Sequence, residues 1–125
     1  MRLHLFWLFV AGGCGTLSRY ALGGLVQRYC GAGFPWGTAA INTVGCFAFG
    51  ILWSAMLERG LIGPEARTVV LVGFLGAFTT FSTFVAESGQ MIAEREMLIG
   101  LANIVFQVAA GLALFYLGQV LGRAI

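Results

Sequence analysis

Apolar residues dominate this chain in four long runs, and the polar positions between them mark where each run stops. A helix needs about 20 mostly apolar residues to cross the hydrocarbon core of a bilayer. Four segments qualify: roughly Leu3–Tyr29, Trp36–Leu57, Thr68–Ala93 and Met97–Arg123. The connecting stretches CGAGFP, ERGLIGPEAR and EREM hold both prolines and most of the charges. The pattern predicts an all-α membrane protein with one four-helix transmembrane domain over residues 1–125. The first residues, MRLHLFWLFVAGG, have the makeup of a signal peptide. Their apolar character continues past Gly13, so a first membrane helix accounts for them better. An even number of spans puts both termini on one side.

Composition agrees with the pattern. Hydrophobic residues make up 59% of the 125 and charged residues 10%, with a mean hydropathy of +0.91. Soluble domains have roughly half and a quarter. Nineteen glycines suit closely packed membrane helices, and Gly118-x-x-x-Gly122 is a small-xxx-small packing motif. There is no lysine and no aspartate, and a net charge of +2 without a basic run gives no support to nucleic-acid binding. Cys14, Cys30 and Cys46 are odd in number and form no CxxC or His/Cys cluster, so they read as small apolar side chains.

Arginine alone reports on orientation. Arg2, Arg59, Arg67 and Arg123 fall on the side of the termini, and Arg28 and Arg95 on the other. Four against two is a weak bias. Insertion in both orientations, and with it an antiparallel pair of copies, stays open. Four short spans with no extramembrane domain enclose little, so an oligomer is expected, with a dimer the simplest.

The chemistry lies in polar residues inside the spans. Arg19 sits about ten residues from the far end of the first span, or ~15 Å of helix rise. An arginine at such depth costs on the order of 3 kcal/mol to insert. It suits a positive field for an anion, or a pair with a carboxylate or with capping carbonyls. Asn42 lies in the same half of the bilayer, with Thr38 one turn earlier on its face. Its two N–H donors suit a small anion or an interhelical hydrogen bond. Glu87 is the only acid well inside a span. It could pair with Arg19, stay protonated or belong to a proton relay.

The third span contains GFLGAFTTFSTF, Gly73–Phe84. At about 100° per residue, Gly76, Thr80, Thr83 and Glu87 share one stripe with Gln90 at its edge. Phe74, Phe78 and Phe81 fall on another face, with Phe84 between the two. Hydroxyls are neutral donors to an anion, and phenyl edges are weakly positive, although phenylalanines at such spacing also serve plain packing. Gly73, Gly76, Thr79, Thr80, Ser82 and Thr83 weaken helix continuity. A break would free carbonyl oxygens, hard ligands suited to Na⁺. An unbroken helix with hydroxyls bonded to the preceding turn is the other account.

Together GGCGTLSRY (Gly12–Tyr20), GTAAINTVGCFAFG (Gly37–Gly50) and GFLGAFTTFSTF resemble the Fluc/CrcB family of fluoride channels over nearly the whole chain. The resemblance implies an antiparallel, dual-topology homodimer in the cell (inner) membrane, with two fluoride pores. It implies a passive, fluoride-selective channel that lowers cytoplasmic fluoride. It also implies a structural, untransported Na⁺ at the dimer centre, held by the backbone carbonyls of Gly76 and Thr79 at a break in the third helix. By position, Asn42 matches the pore asparagine, and Phe81 and Phe84 the phenylalanines whose ring edges face fluoride. Ser82, Thr83 and Glu87 match the polar track, and Arg19 a vestibule arginine. The fourth helix of many relatives adds a serine-containing stretch, where this chain offers Asn103, Gln107 and Tyr116.

Two rivals differ in kind. A proton-coupled exporter of the small multidrug type would also be a four-span dual-topology dimer and would use Glu87 for coupling. A small assembly subunit would carry no flux. No GxxxxGK[ST] motif is present, and the terminal His4 has no evident partner, so no enzymatic activity is expected.

Overall fold

The computed structural model describes residues 2–125, with side chains from His4 onward. Met1 and the side chains of Arg2 and Leu3 lie outside the described residues, and the Arg2 charge counted above lies there too. Among the described residues four helices are long and apolar enough to cross a membrane: His4–Cys30, Trp36–Glu58, Pro64–Ala93 and Met97–Ala124.

Helix α1 is Arg2–Cys30. It ends on Gly31, whose φ of 87° is the left-handed conformation that suits a residue without Cβ. Gln27 closes the connection to the next helix. Its Nε2 donates to the carbonyls of Gly31 and Phe34, and its Oε1 accepts from the Gly37 N–H at 2.9 Å. Helix α2 is Trp36–Trp53 and runs on through a π-helical turn, Ser54–Glu58.

The third span begins at Pro64, four residues before the apolar run that predicts it. Proline at the first helical turn has no N–H to leave unpaired, and Glu65 suits the positive helix start. Short α3 (Pro64–Thr68) passes through a π-helical stretch, Val69–Leu75, into α4 (Gly76–Phe78). The chain then leaves the helix for two residues. Thr79 (φ −87°, ψ 161°) and Thr80 (φ −149°, ψ 109°) are extended. Helix α5 (Phe81–Ala93) follows. Arg95, at φ 69°, turns the chain into α6 (Met97–Ala124).

Helix α2 is central. It packs most extensively on α6, and also meets α1 and both halves of the broken span. Glycine makes the α2–α6 approach. A Cβ on Gly50 would collide with the Phe115 carbonyl, and one on Gly118 or Gly122 with the carbonyl of Phe47 or Ile51. The Gly118-x-x-x-Gly122 motif therefore serves packing inside the chain. A small core of Ile41, Leu75 and Phe78 fixes the end of α4 against α2.

Candidate functional site

The break at Thr79–Thr80 is built from both sides. Thr79 caps the turn behind it, with its N–H and Oγ1 both donating to the Leu75 carbonyl at 3.0 Å. Thr80 is the N-cap of α5, its Oγ1 accepting from the Thr83 N–H at 3.3 Å. Asn42, from α2, replaces the helical partner that the Thr80 N–H has lost and adds a donor to the Thr80 carbonyl. Its Oδ1 accepts from the Thr80 N–H at 2.8 Å, and its Nδ2 donates to the Thr80 carbonyl at 3.1 Å. α2 comes this close because position 45 is glycine: a Cβ there would overlap the Thr79 methyl group.

The break leaves four carbonyls, those of Gly76, Ala77, Phe78 and Thr79, without their helical donors, and two of them show where the donors went. In a continuous helix the Gly76 carbonyl would accept from the Thr80 N–H and the Thr79 carbonyl from the Thr83 N–H. Here those donors go to Asn42 Oδ1 and Thr80 Oγ1. Both carbonyls are left as hard oxygen donors, the type that suits a small hard cation such as Na⁺. Among the described residues no group of three His, Cys, Asp or Glu side chains could hold a metal.

The predicted stripe and aromatic face are both cut at the break. Gly76 is separated from the polar residues after it and keeps ordinary helical angles, φ −61° and ψ −34°. Thr80, Thr83 and Glu87 stay together and line a cavity of about 310 Å³ with Arg19, Gln27 and Thr38. Thr38 donates to Glu87 Oε1 at 2.8 Å, and Thr80 Oγ1 donates to Thr83 Oγ1 at 2.9 Å. Ser82 Oγ lies 3.4 Å from Thr80 Oγ1. The ion pair among the described residues joins Arg123 to Glu58, so Arg19 and Glu87 share the cavity without pairing. Gln90 lies outside this group and bonds Glu94.

The phenylalanines separate into two pairs of different character. Phe74 and Phe78 stack at 6.0 Å and serve packing, with Phe78 in the core. Phe81 and Phe84 meet at 5.8 Å with their rings tilted by 52°. Phe84 is 7% exposed and Phe81 77%. Both line a second cavity of about 420 Å³ between α2, the break and α6. Asn42 and Gln107 stand at its polar part, and Cys46, Phe49, Leu112 and Phe115 make the rest apolar.

The fourth-span residues that the sequence left open now divide. Tyr116 is 61% exposed and Asn103 is fully buried. Gln107 is 7% exposed, and its Oε1 accepts from Asn42 Nδ2 at 2.9 Å. Its Nε2 donates to Asn103 Oδ1 at 2.9 Å, and Asn103 Nδ2 donates to Ser88 Oγ at 2.9 Å. The signal was present in the sequence as two amides one turn apart on an apolar helix. Ser88, which closes this chain of bonds, gave no signal of its own.

The model of the family described as "CrcB-like protein, Camphor Resistance (CrcB)" matches residues 6–119. The chain is 50% identical over 121 residues to a protein of Nitrosococcus oceani named "Fluoride-specific ion channel FluC", with 97% of each chain covered. A protein of Solidesulfovibrio magneticus with the same name is 51% identical over 121 residues, again with 97% of each covered. One from Desulforapulum autotrophicum, also so named, is 45% identical over 123 residues and 98% of each chain.

Proposed function

This chain belongs to the CrcB-like family, and from that premise we propose that it is a passive fluoride-selective channel of the inner membrane that lets F⁻ leave the cell. The observation that carries the reading is the cavity where Asn42 meets Phe81 and Phe84 beside the break. It offers what a small, strongly hydrated anion needs without a full positive charge that would trap it. Amide N–H groups and phenyl edges replace water, and hydroxyls of Thr38, Thr80, Ser82 and Thr83 continue the donors toward the Arg19 side. Arg19 supplies a positive field at that end, and Glu87, held by Thr38, lies along the path.

The working unit is an antiparallel homodimer with two pores. Support comes from the surface of the break. Gly76, Phe81, Ser82 and Thr83 are exposed in the single chain. Irregular backbone at membrane depth is tolerated only against protein or a water-filled cavity, and an unpaired carbonyl in hydrocarbon costs several kcal/mol. A second copy laid across the break removes that cost. The carbonyls of Gly76 and Thr79 then hold a structural Na⁺. The ion supplies positive charge for the carbonyl dipoles and is not itself transported.

The small multidrug-type reading, with Glu87 as the coupling acid, has no comparable observation behind it. Efflux from liposomes separates the two. A channel passes fluoride with no proton gradient imposed. Fluoride movement that requires such a gradient would replace the channel reading with a coupled one.

A further inference from the structure

Asn42 has two N–H groups on Nδ2, and both are engaged. One goes to the Thr80 carbonyl at 3.1 Å and belongs to the clamp on the break. The other goes to Gln107 Oε1 at 2.9 Å. That second bond joins two residues that line the same cavity as Phe81 and Phe84.

Gln107 cannot turn round. Its Nε2 is committed to Asn103 Oδ1, Asn103 Nδ2 to Ser88 Oγ, and the Ser88 hydroxyl proton to the Phe84 carbonyl at 2.7 Å. The two ends of this chain are backbone groups. The Phe84 carbonyl can only accept and the Thr80 N–H can only donate. Every group between them is therefore oriented one way. Reversing Gln107 would set its N–H₂ against that of Asn42 and its oxygen against that of Asn103.

Resting on the channel reading above, we propose that Gln107 sets the affinity for the anion: its Oε1 occupies the Asn42 N–H left over by the clamp, and an entering anion takes that N–H by displacing it. The bond has two consequences. It keeps a buried donor satisfied while no anion is present. It also makes the anion compete, so that binding is weak enough to allow departure. Gln107 acts here as a positioning residue through Asn42, and Asn103 holds it in place.

Two substitutions of similar length give opposite signs. Gln107→Met removes the acceptor and leaves the Asn42 N–H open. In liposome efflux, the half-saturating fluoride concentration is expected to fall roughly three- to tenfold, the effect of one neutral hydrogen bond that no longer has to be displaced, and maximal flux falls with it. Gln107→Glu keeps an acceptor and adds charge, so the same concentration is expected to rise about tenfold or more. A side chain needed only for folding would lower the active fraction in both and leave that concentration unchanged. That result, or a shift in the same direction in both, overturns the proposal.

A second readout does not depend on flux. Asn42 and Asn103 are the chain's only asparagines, so protein labelled with ¹⁵N-asparagine shows two side-chain amide groups. Without fluoride, Gln107→Met is expected to move one Asn42 amide proton upfield. Unchanged Asn42 protons overturn the proposal even if fluoride passes. The upfield shift together with no efflux from the unaltered chain would bring down the channel reading, and the affinity role with it, while leaving the bond demonstrated.

Discussion

The side-chain amide of Asn42 pairs with both backbone groups of Thr80, accepting its N–H at 2.8 Å and donating to its carbonyl at 3.1 Å. One α2 residue thus supplies the acceptor that the Thr80 N–H loses where the helix stops for two residues. Structure and proposed transport meet at this amide, because the same Nδ2 reaches Gln107 in the cavity lined by Phe81 and Phe84.

Asn42→Ala removes three hydrogen bonds and leaves the Thr80 N–H unpaired at the break. A loss of roughly 2–3 kcal/mol is expected, together with loss of flux. Asn42→Asp keeps the acceptor for the Thr80 N–H but loses both donors and adds negative charge. It is expected to retain more stability than the alanine variant and still pass no fluoride. Thermal melting in detergent beside liposome efflux measures both.

Gly45→Ala tests the close approach at the break. The new Cβ would overlap the Thr79 methyl group, where close packing leaves no room. A cost of about 1–3 kcal/mol is expected, with reduced flux because the break must shift. Gly13→Ala meets nothing within 4 Å and is the matched control. Equal melting temperatures for the two variants would contradict the packing described here.

The Thr80 cap separates a hydroxyl effect from bulk. Thr80→Val keeps the branched shape and loses the acceptor for the Thr83 N–H, and a destabilisation of about 1 kcal/mol is expected. Thr80→Ser keeps the oxygen and should hold most of that stability. Unfolding of the two proteins side by side decides it.

The long apolar runs made all four helices legible, because the bilayer's thickness sets a simple length rule. The place of the break was harder. Glycines and hydroxyls around Gly73–Thr83 marked a weak region, but Asn42, 38 positions away from Thr80, chooses Thr79–Thr80. Periodicity assumed one unbroken helix, so it put Gly76 on a stripe with Thr80 and grouped Phe81 with Phe74 and Phe78. Two extended residues reset the register, leaving one aromatic pair in the core and the other at a cavity. Asn103 and Gln107 could not be placed from sequence because α6 is apolar nearly all round. The packing on α2 through Gly50, Gly118 and Gly122, and on α5 through Gly100, decides which of its faces is inside.

The proposed Na⁺ is tested by exchange. Protein prepared and assayed with a large organic cation in place of Na⁺ is expected to lose most of its fluoride flux and to recover it when Na⁺ returns. Flux that is indifferent to the exchange would remove the ion from the account.

Phe81→Ile and Phe84→Ile keep apolar bulk and remove ring edges. Phe81, 77% exposed in the single chain and covered by the second copy in the proposed dimer, should show reduced fluoride efflux. Phe84 is buried, and its variant should lose some stability as well as efflux. Full flux from both variants would end the ring-edge role.

Efflux of fluoride against chloride, from liposomes holding the purified chain with no proton gradient, bears most directly on the central claim. Rapid fluoride release with chloride retained is the expected result. Equal release of the two anions, or retention of both, would contradict the assignment of a fluoride-selective channel.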